Sequence, residues 1–428
     1  MASRPGLDVW LYGTLIGELS EPQFAKMRLD FTEEAERTFR PGAIILSTSL
    51  PTNAQRRPNG NLVRAFFGGL LPEGESRGVI AREFDVDSGD NFGLLAAIGR
   101  DCAGAVVLLP HGSTQPSVRG DVKPLSGRDL ATLVANLRER PLGANNEIRV
   151  SLPGAQEKLL LVRRSDGRWG QPVNGAPSTH ILKPQDMRLP SYAVAESFCL
   201  RLAKRLALTT VDSEVIDVDG RPVIVVARYD RTSGPEGTVR THQEDICQAL
   251  GVDTSNDPYL KYESGGGPSL SQVAELLAQF APSPDRAKLL ALTVLNVAVG
   301  NADCHAKNIS LLHMRDGTVT LAPAYDITPT TFYKNVPTAQ GPKDLSDQLG
   351  MRINAKKSIH DVTMNDLIAE GVRWGLPKAD ADHVVLQTLA EVARHSTSVG
   401  AEVDLPSELL EFVVTRTARL ANGVPAAE

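Results

Sequence analysis

Alternating apolar and polar positions mark strands at Asp8–Leu15, Met27–Phe31 and Ala43–Ser49, while Leu62–Leu71 and Asn91–Ile98 carry a helical pattern. Together they predict an α+β unit over residues 1–110. After Ala105–Pro110 the chain turns to HGSTQPSVRGDVKP, polar and rich in Gly, Pro and Ser, so residues 111–125 are expected to be an exposed linker. Ser126 is placed to cap a helix through LSGRDLATLVANL.

From Glu147 onward the order of elements becomes informative. Ile148–Ser151 reads as a strand, LPGAQEK as a turn, Leu159–Arg164 as the returning strand, and Ser178–Pro184 as a third strand with Lys183 near its end. In SYAVAESFCLRLAKRLAL the positions Ala195, Phe198, Cys199, Leu202, Ala203 and Leu206 share one helical face. Val215–Val218 and Val223–Ala227 flank an Asp219-Gly220 turn, and this hairpin ends at Arg228-Tyr229-Asp230. Such an order matches a protein-kinase small lobe, assigned to residues 126–230. Residues 231–428 read as a helical large lobe. Thr241 and Glu244 are spaced as a capping box for a helix closing on Gly251, and Arg286–Gly300 is a buried apolar helix. Directly behind it stand Asn301-Ala302-Asp303-Cys304-His305-Ala306-Lys307-Asn308, and a further hairpin delivers Tyr325-Asp326.

Length and composition narrow the classes. The 428 residues give a prior of about three domains, and 42% hydrophobic with 22% charged residues exclude collagen-like and disordered chains. A formal net charge of −6 argues against holding nucleic acid by bulk electrostatics, so any DNA contact is expected to run through a local patch or a partner. Cys102, Cys199, Cys247 and Cys304 form no C-x-x-C pair, which fits reduced thiols in a cytoplasm. Asp8 interrupts the N-terminal apolar stretch, which is not read as a signal peptide. The run Leu289–Gly300 contains Asn296 and is too short to span a bilayer, so no membrane association is expected.

Phosphoryl transfer needs a carboxylate at the incoming hydroxyl, oxygen ligands for Mg²⁺ and a lysine on the phosphates. Asp303 and Asn308 have the separation of the kinase catalytic loop, and Asp326 follows the hairpin that could return it to the same cleft. Asp303 is thus the candidate base, Asn308 and Asp326 the Mg²⁺ ligands, and Lys183 the phosphate lysine. Glu196 is the candidate to orient Lys183. Taken singly, each has an ordinary reading: Asp and Asn suit turns, a lysine before proline is commonly a solvated strand end, and a lone glutamate on an amphipathic helix normally faces water. Cys304 beside His305 lacks the second ligand pair of a zinc site. Gly154 stands in a loop that is neither G-x-G-x-x-G nor Walker A, and Lys158 is either a phosphate contact or a surface lysine.

The motifs SLPGAQEKLLL, STHILKP, HQEDICQALG, KYESGGGPS, NADCHAKNISLL and APAYDI, with FFGGLLPEGE and IGRDCAGAVVLLP nearer the N-terminus, resemble the HipA family of bacterial serine/threonine protein kinase toxins. That resemblance implies an α+β, two-lobed protein-kinase-like fold with an extra N-terminal subdomain. It implies ATP and Mg²⁺ as cosubstrates, a helix-turn-helix antitoxin of the HipB type that carries the pair to operator DNA, and aminoacyl-tRNA synthetases among the protein substrates. It also implies that Ser151 is an inhibitory autophosphorylation site, and that Arg228, Tyr229 and Asp230 line the nucleotide with Gln243, His305 and Tyr325 nearby. Cys304 stands where glycine is frequent, and Asp326-Ile327-Thr328 lacks the glycine of D-F-G. Two rival readings remain open: a catalytically weak nucleotide-binding corepressor, and a small-molecule kinase on the same scaffold.

Overall fold

The computed structural model describes residues 4–115, 120–145, 147–154, 156–235 and 237–427. The chain forms two compact units, one of Met1–Lys183, Ala227–Leu260 and Leu311–Val319, the other of Pro184–Val226, Lys261–Ser310 and Thr320–Glu428. The first unit takes in residues on both sides of positions 110 and 230.

In the first unit a four-stranded antiparallel sheet runs in the order Lys26–Phe31, Thr14–Gln23, Leu7–Leu11, Val106–Pro110. Met27, Leu29 and Phe31 alternate inward against Arg28 and Asp30, as a half-buried strand requires. Tyr12 and Gly13, both at positive φ, close the two-residue turn that pairs Leu11 with Thr14. Phe66, Phe67 and Phe92, from the helices Gly60–Gly69 and Asn91–Ile98, are fully enclosed in the adjoining core. That core also takes in Leu142, Ile148, Val150 and Leu160, so it is shared across the expected linker.

Four expectations are corrected here. Within the predicted linker, Asp121–Pro124 is a strand that pairs antiparallel with Trp169–Val173, while residues 116–119 lie outside the described ones. Ile148–Ser151 forms no strand; only Val150 makes a single bridge, to Asp101, because the segment's apolar side chains are drawn into the core. Ala43–Ser49 is irregular because side chains take its backbone groups: His313 and His242 contact the carbonyls of Ile44 and Leu46, and Glu244 accepts from the Thr48 amide. The predicted helix from Thr241 is instead a strand, His242–Asp245, followed by the short helix Ile246–Ala249. Asp245 and Gln248 make its capping box, since Glu244 is buried and bonded to Thr48 and His313.

The second unit is mainly helical. Tyr192–Arg205 buries the predicted face through Ala195, Phe198, Cys199, Leu202 and Ala203. The helix Pro284–Val299 is buried along most of its surface, packs on Lys378–Glu402 and Ser407–Ala421, and stops at Gly300, whose φ of 79° suits the left-handed cap. The hairpin Ser213–Val218 with Arg221–Ala227 turns at Asp219-Gly220 as expected. Among the described residues no helix is long and apolar enough to cross a membrane.

Candidate active site

The loop behind the Pro284–Val299 helix is fixed from both ends. Asn301 donates from its amide to Asn296 Oδ1 at 2.7 Å and accepts the Asp303 backbone N–H at 3.2 Å, while Thr330 Oγ1 accepts from the Ala302 N–H at 3.0 Å. Gly350 donates its N–H to the Ala302 carbonyl at 2.8 Å, and a side chain there is sterically barred, since a Cβ would meet the Cys304 carbonyl oxygen at 2.6 Å. The Asp303 side chain is left accessible and accepts a hydrogen bond from Tyr262 at 2.8 Å. Protein atoms crowd the group nonetheless. That loss of hydration pushes its carboxyl above the usual aspartate value, Tyr262 opposes the rise, and the negative charge of Asp326 adds to it.

Asn308 turns its amide toward Asp326, with Nδ2 3.5 Å from Oδ2. Asp326 adopts φ 57°, a left-handed conformation tolerated by aspartate but uncommon outside glycine, and one of the kind that gathers at functional sites. Tyr325 donates to the Lys307 carbonyl at 2.7 Å and bonds to Ser310 at 2.6 Å, pinning the two segments together. His305 meets the Tyr262 ring edge-on at 5.0 Å. The structure therefore brings Asp303, Asn308, Asp326, His305 and Tyr325 together within the second unit. Among the described residues no three His, Cys, Asp or Glu side chains converge as a metal-holding group. An oxygen pair such as Asn308 with Asp326 fits Mg²⁺, which keeps waters and takes its remaining ligands from substrate phosphates.

The other predicted residues, Glu196 excepted, lie in the first unit. Ser151 is wholly buried: its hydroxyl donates to the Leu70 carbonyl at 2.7 Å and its N–H to the Asp101 carbonyl at 2.9 Å. Lys158 donates to the Pro153 carbonyl at 2.7 Å, folding its ammonium across its own loop, and Gly154 at φ 105° leaves room for it. Lys183 is buried on the strand His180–Pro184, and Glu196 of the second unit is buried too, contrary to the solvent-facing norm for such a residue. Tyr229 donates to Gln243, so these two are brought together.

Arg228 and Asp230 occupy a different setting. Both are inside, where Asp101 and Asp230 pair with Arg228, Arg231 and Arg240 at 2.7 to 3.7 Å. Ser178 donates to Asp101 and the Gly104 N–H to Asp230. Burial alone would raise the Asp101 carboxyl, but the surrounding guanidinium groups hold it well below the usual range, and Asp230 is lowered the same way. Arg228 and Asp230 are thus enclosed in an ion-paired network of the first unit. Sequence reasoning did not single out Asp101, Tyr262, Glu263, Thr330 or Gly350; only the motifs containing some of them were noted.

Residues 150–396 match the HipA-like C-terminal domain and residues 7–109 the HipA N-terminal domain. The protein Y4mE of Sinorhizobium fredii is 38% identical over 85% of this chain and 83% of its own length. A serine/threonine-protein kinase toxin HipA of Shewanella oneidensis is 27% identical over 93% of this chain and 89% of its own. The solved complex of Shewanella oneidensis HipA, HipB and operator DNA contains a chain that superposes with a TM-score of 0.78, at 25% identity, covering 97% of this chain and 96% of that one.

Proposed function

The chain belongs to the HipA family of kinase toxins, with that family's α+β kinase-like fold, and from this premise we propose that it transfers the γ-phosphoryl group of ATP to a serine or threonine hydroxyl of a protein. The observation that carries this reading is the convergence of Asp303, Asn308 and Asp326 behind a buried helix. Asp303 orients the incoming hydroxyl and takes its proton, a role favoured by an accessible carboxylate with a raised affinity for protons. Asn308 and Asp326 are the residues that would hold Mg²⁺, which when bound neutralises charge on the transferred phosphoryl group. Lys183 is assigned to the nucleotide phosphates, and Tyr229 with Gln243 to the nucleoside.

The burial of Ser151 gives its proposed autophosphorylation a physical consequence. The hydroxyl reaches a phosphate donor only when residues 151–154 leave the core, and a phosphoserine carrying about −1.5 to −2 charges would be strongly disfavoured from returning against the Leu70 carbonyl. Modification thus holds the loop outward, and Lys158 moves with it. We assign the N-terminal subdomain, residues 1–110, to contact with a HipB-like antitoxin, through which operator DNA is reached, and an aminoacyl-tRNA synthetase as the class of protein substrate, in a cytoplasmic setting.

Purified chain incubated with [γ-³²P]ATP and Mg²⁺ should label itself at Ser151, read by intact mass and peptide mapping, and Asp303→Gln should abolish labelling with ATP binding retained. Full labelling by the variant would refute the assignment. ATP binding with no transfer by the wild type would favour the corepressor reading.

A further inference from the structure

The segment KYESGGGPS has no place in the chemistry so far, yet it supplies the hydrogen bond on the Asp303 side chain. A carboxylate offers two equivalent oxygens and its terminal torsion is broad, so an unsupported Asp303 would present a rotating acceptor. Tyr262 removes that freedom by donating to Oδ1 at 2.8 Å. Its own ring is set edge-on against His305, and Gly265 and Gly267 return their N–H groups to the Tyr262 carbonyl at 3.0 and 2.9 Å.

The neighbouring residue anchors this turn. Glu263 accepts the Arg352 backbone N–H at 2.6 Å, on the strand Gln348–Ile353, and that strand is tied at Gly350 to the Ala302 carbonyl. The bonds close a circuit from Ala302 through Gly350, Arg352, Glu263 and Tyr262 back to Asp303. Resting on the phosphoryl-transfer reading above, we propose that Tyr262 and Glu263 are positioning residues that hold one oxygen of Asp303 and so dedicate the other to the incoming hydroxyl.

The test uses the full chain, with initial rates of [γ-³²P]ATP-dependent self-labelling at varied ATP for wild type, Tyr262→Phe, Glu263→Ala, Glu263→Gln and Asp303→Asn. Phenylalanine keeps the ring against His305, so Tyr262→Phe should melt as the wild type does. Losing a hydrogen bond to a charged group should lower the maximal rate roughly tenfold or more, with half-saturating ATP unchanged within about twofold. Glu263→Ala should reproduce that split, whereas Glu263→Gln, which still offers a carbonyl oxygen to Arg352, should restore the rate. An unchanged maximal rate in Tyr262→Phe, or a loss expressed only as weaker ATP binding, overturns the positioning role while Asp303→Asn stays inactive. Activity in Asp303→Asn would instead overturn the reading beneath it.

Discussion

Two clusters in this molecule each hold a pair of aspartates and behave oppositely. Around Asp101 and Asp230 every carboxylate oxygen faces a guanidinium, a hydroxyl or a backbone N–H, both acids are driven below their usual range, and the group is sealed from water. Around Asp303 the Tyr262 hydroxyl and the charge of Lys261 only partly oppose crowding and a like charge, and the acid is driven upward. Compensated charge of the first kind confers geometry, whereas partly compensated charge at an accessible position retains affinity for a proton or a cation. The contrast separates Arg228 and Asp230, expected at the nucleotide only through the family resemblance, from Asp303 and Asp326, assigned also from their spacing and the order of elements.

The widest gap between the clusters should come from removing one carboxylate at each. Asp303→Asn should reduce phosphoryl transfer by roughly a hundredfold or more with an unaltered melting temperature, measured by labelling and calorimetry side by side. Asp101→Ala takes a carboxylate from Arg240 and leaves the buried Arg228 and Arg231 sharing Asp230 alone, and should destabilise the fold by about 3–5 kcal/mol, read from the denaturant midpoint. An Asp101→Ala protein as stable as the wild type would erase the distinction.

Acid sharpens the comparison further. His242 accepts the Ala105 N–H and faces the Leu46 carbonyl, and burial together with the nearby His313 pushes it from 6.5 down to about 3. The unfolded chain therefore binds the extra proton, so this contribution to stability is complete above pH 6.5 and falls by roughly 1.4 kcal/mol per unit as pH drops toward 3. Denaturant unfolding at pH 7 and 5.5 checks the slope, and a flat profile would mean that His242 is readily protonated in place. The smallest effect is expected at Cys304, where burial first, then Asp303 and Asp326, push the thiol to about 12. Iodoacetamide at neutral pH should leave it unlabelled in the folded protein by intact mass, despite its position beside the candidate base.

Much of the fold was legible because its signals are local. Ser126 with Asp129, the apolar face of Tyr192–Arg205 and the Gly300 stop each need only neighbours within a turn or two. The spacing of Asp303 and Asn308 was legible for the same reason. Ala43–Ser49 and the stretch from Thr241 were misread because the partner that decides both is distant: Glu244 and Thr48 are 196 residues apart in sequence. Likewise Tyr262 and Asp303 are separated by 41 positions, and no periodicity links them. The sequence by itself determined where helices, hairpins and candidate acids stand along the chain, since backbone propensity and side-chain spacing act at short range. Only the tertiary structure decided which acids are saturated by arginine and which keep a raised proton affinity, because desolvation and ion pairing depend on what the folded chain places around each carboxylate.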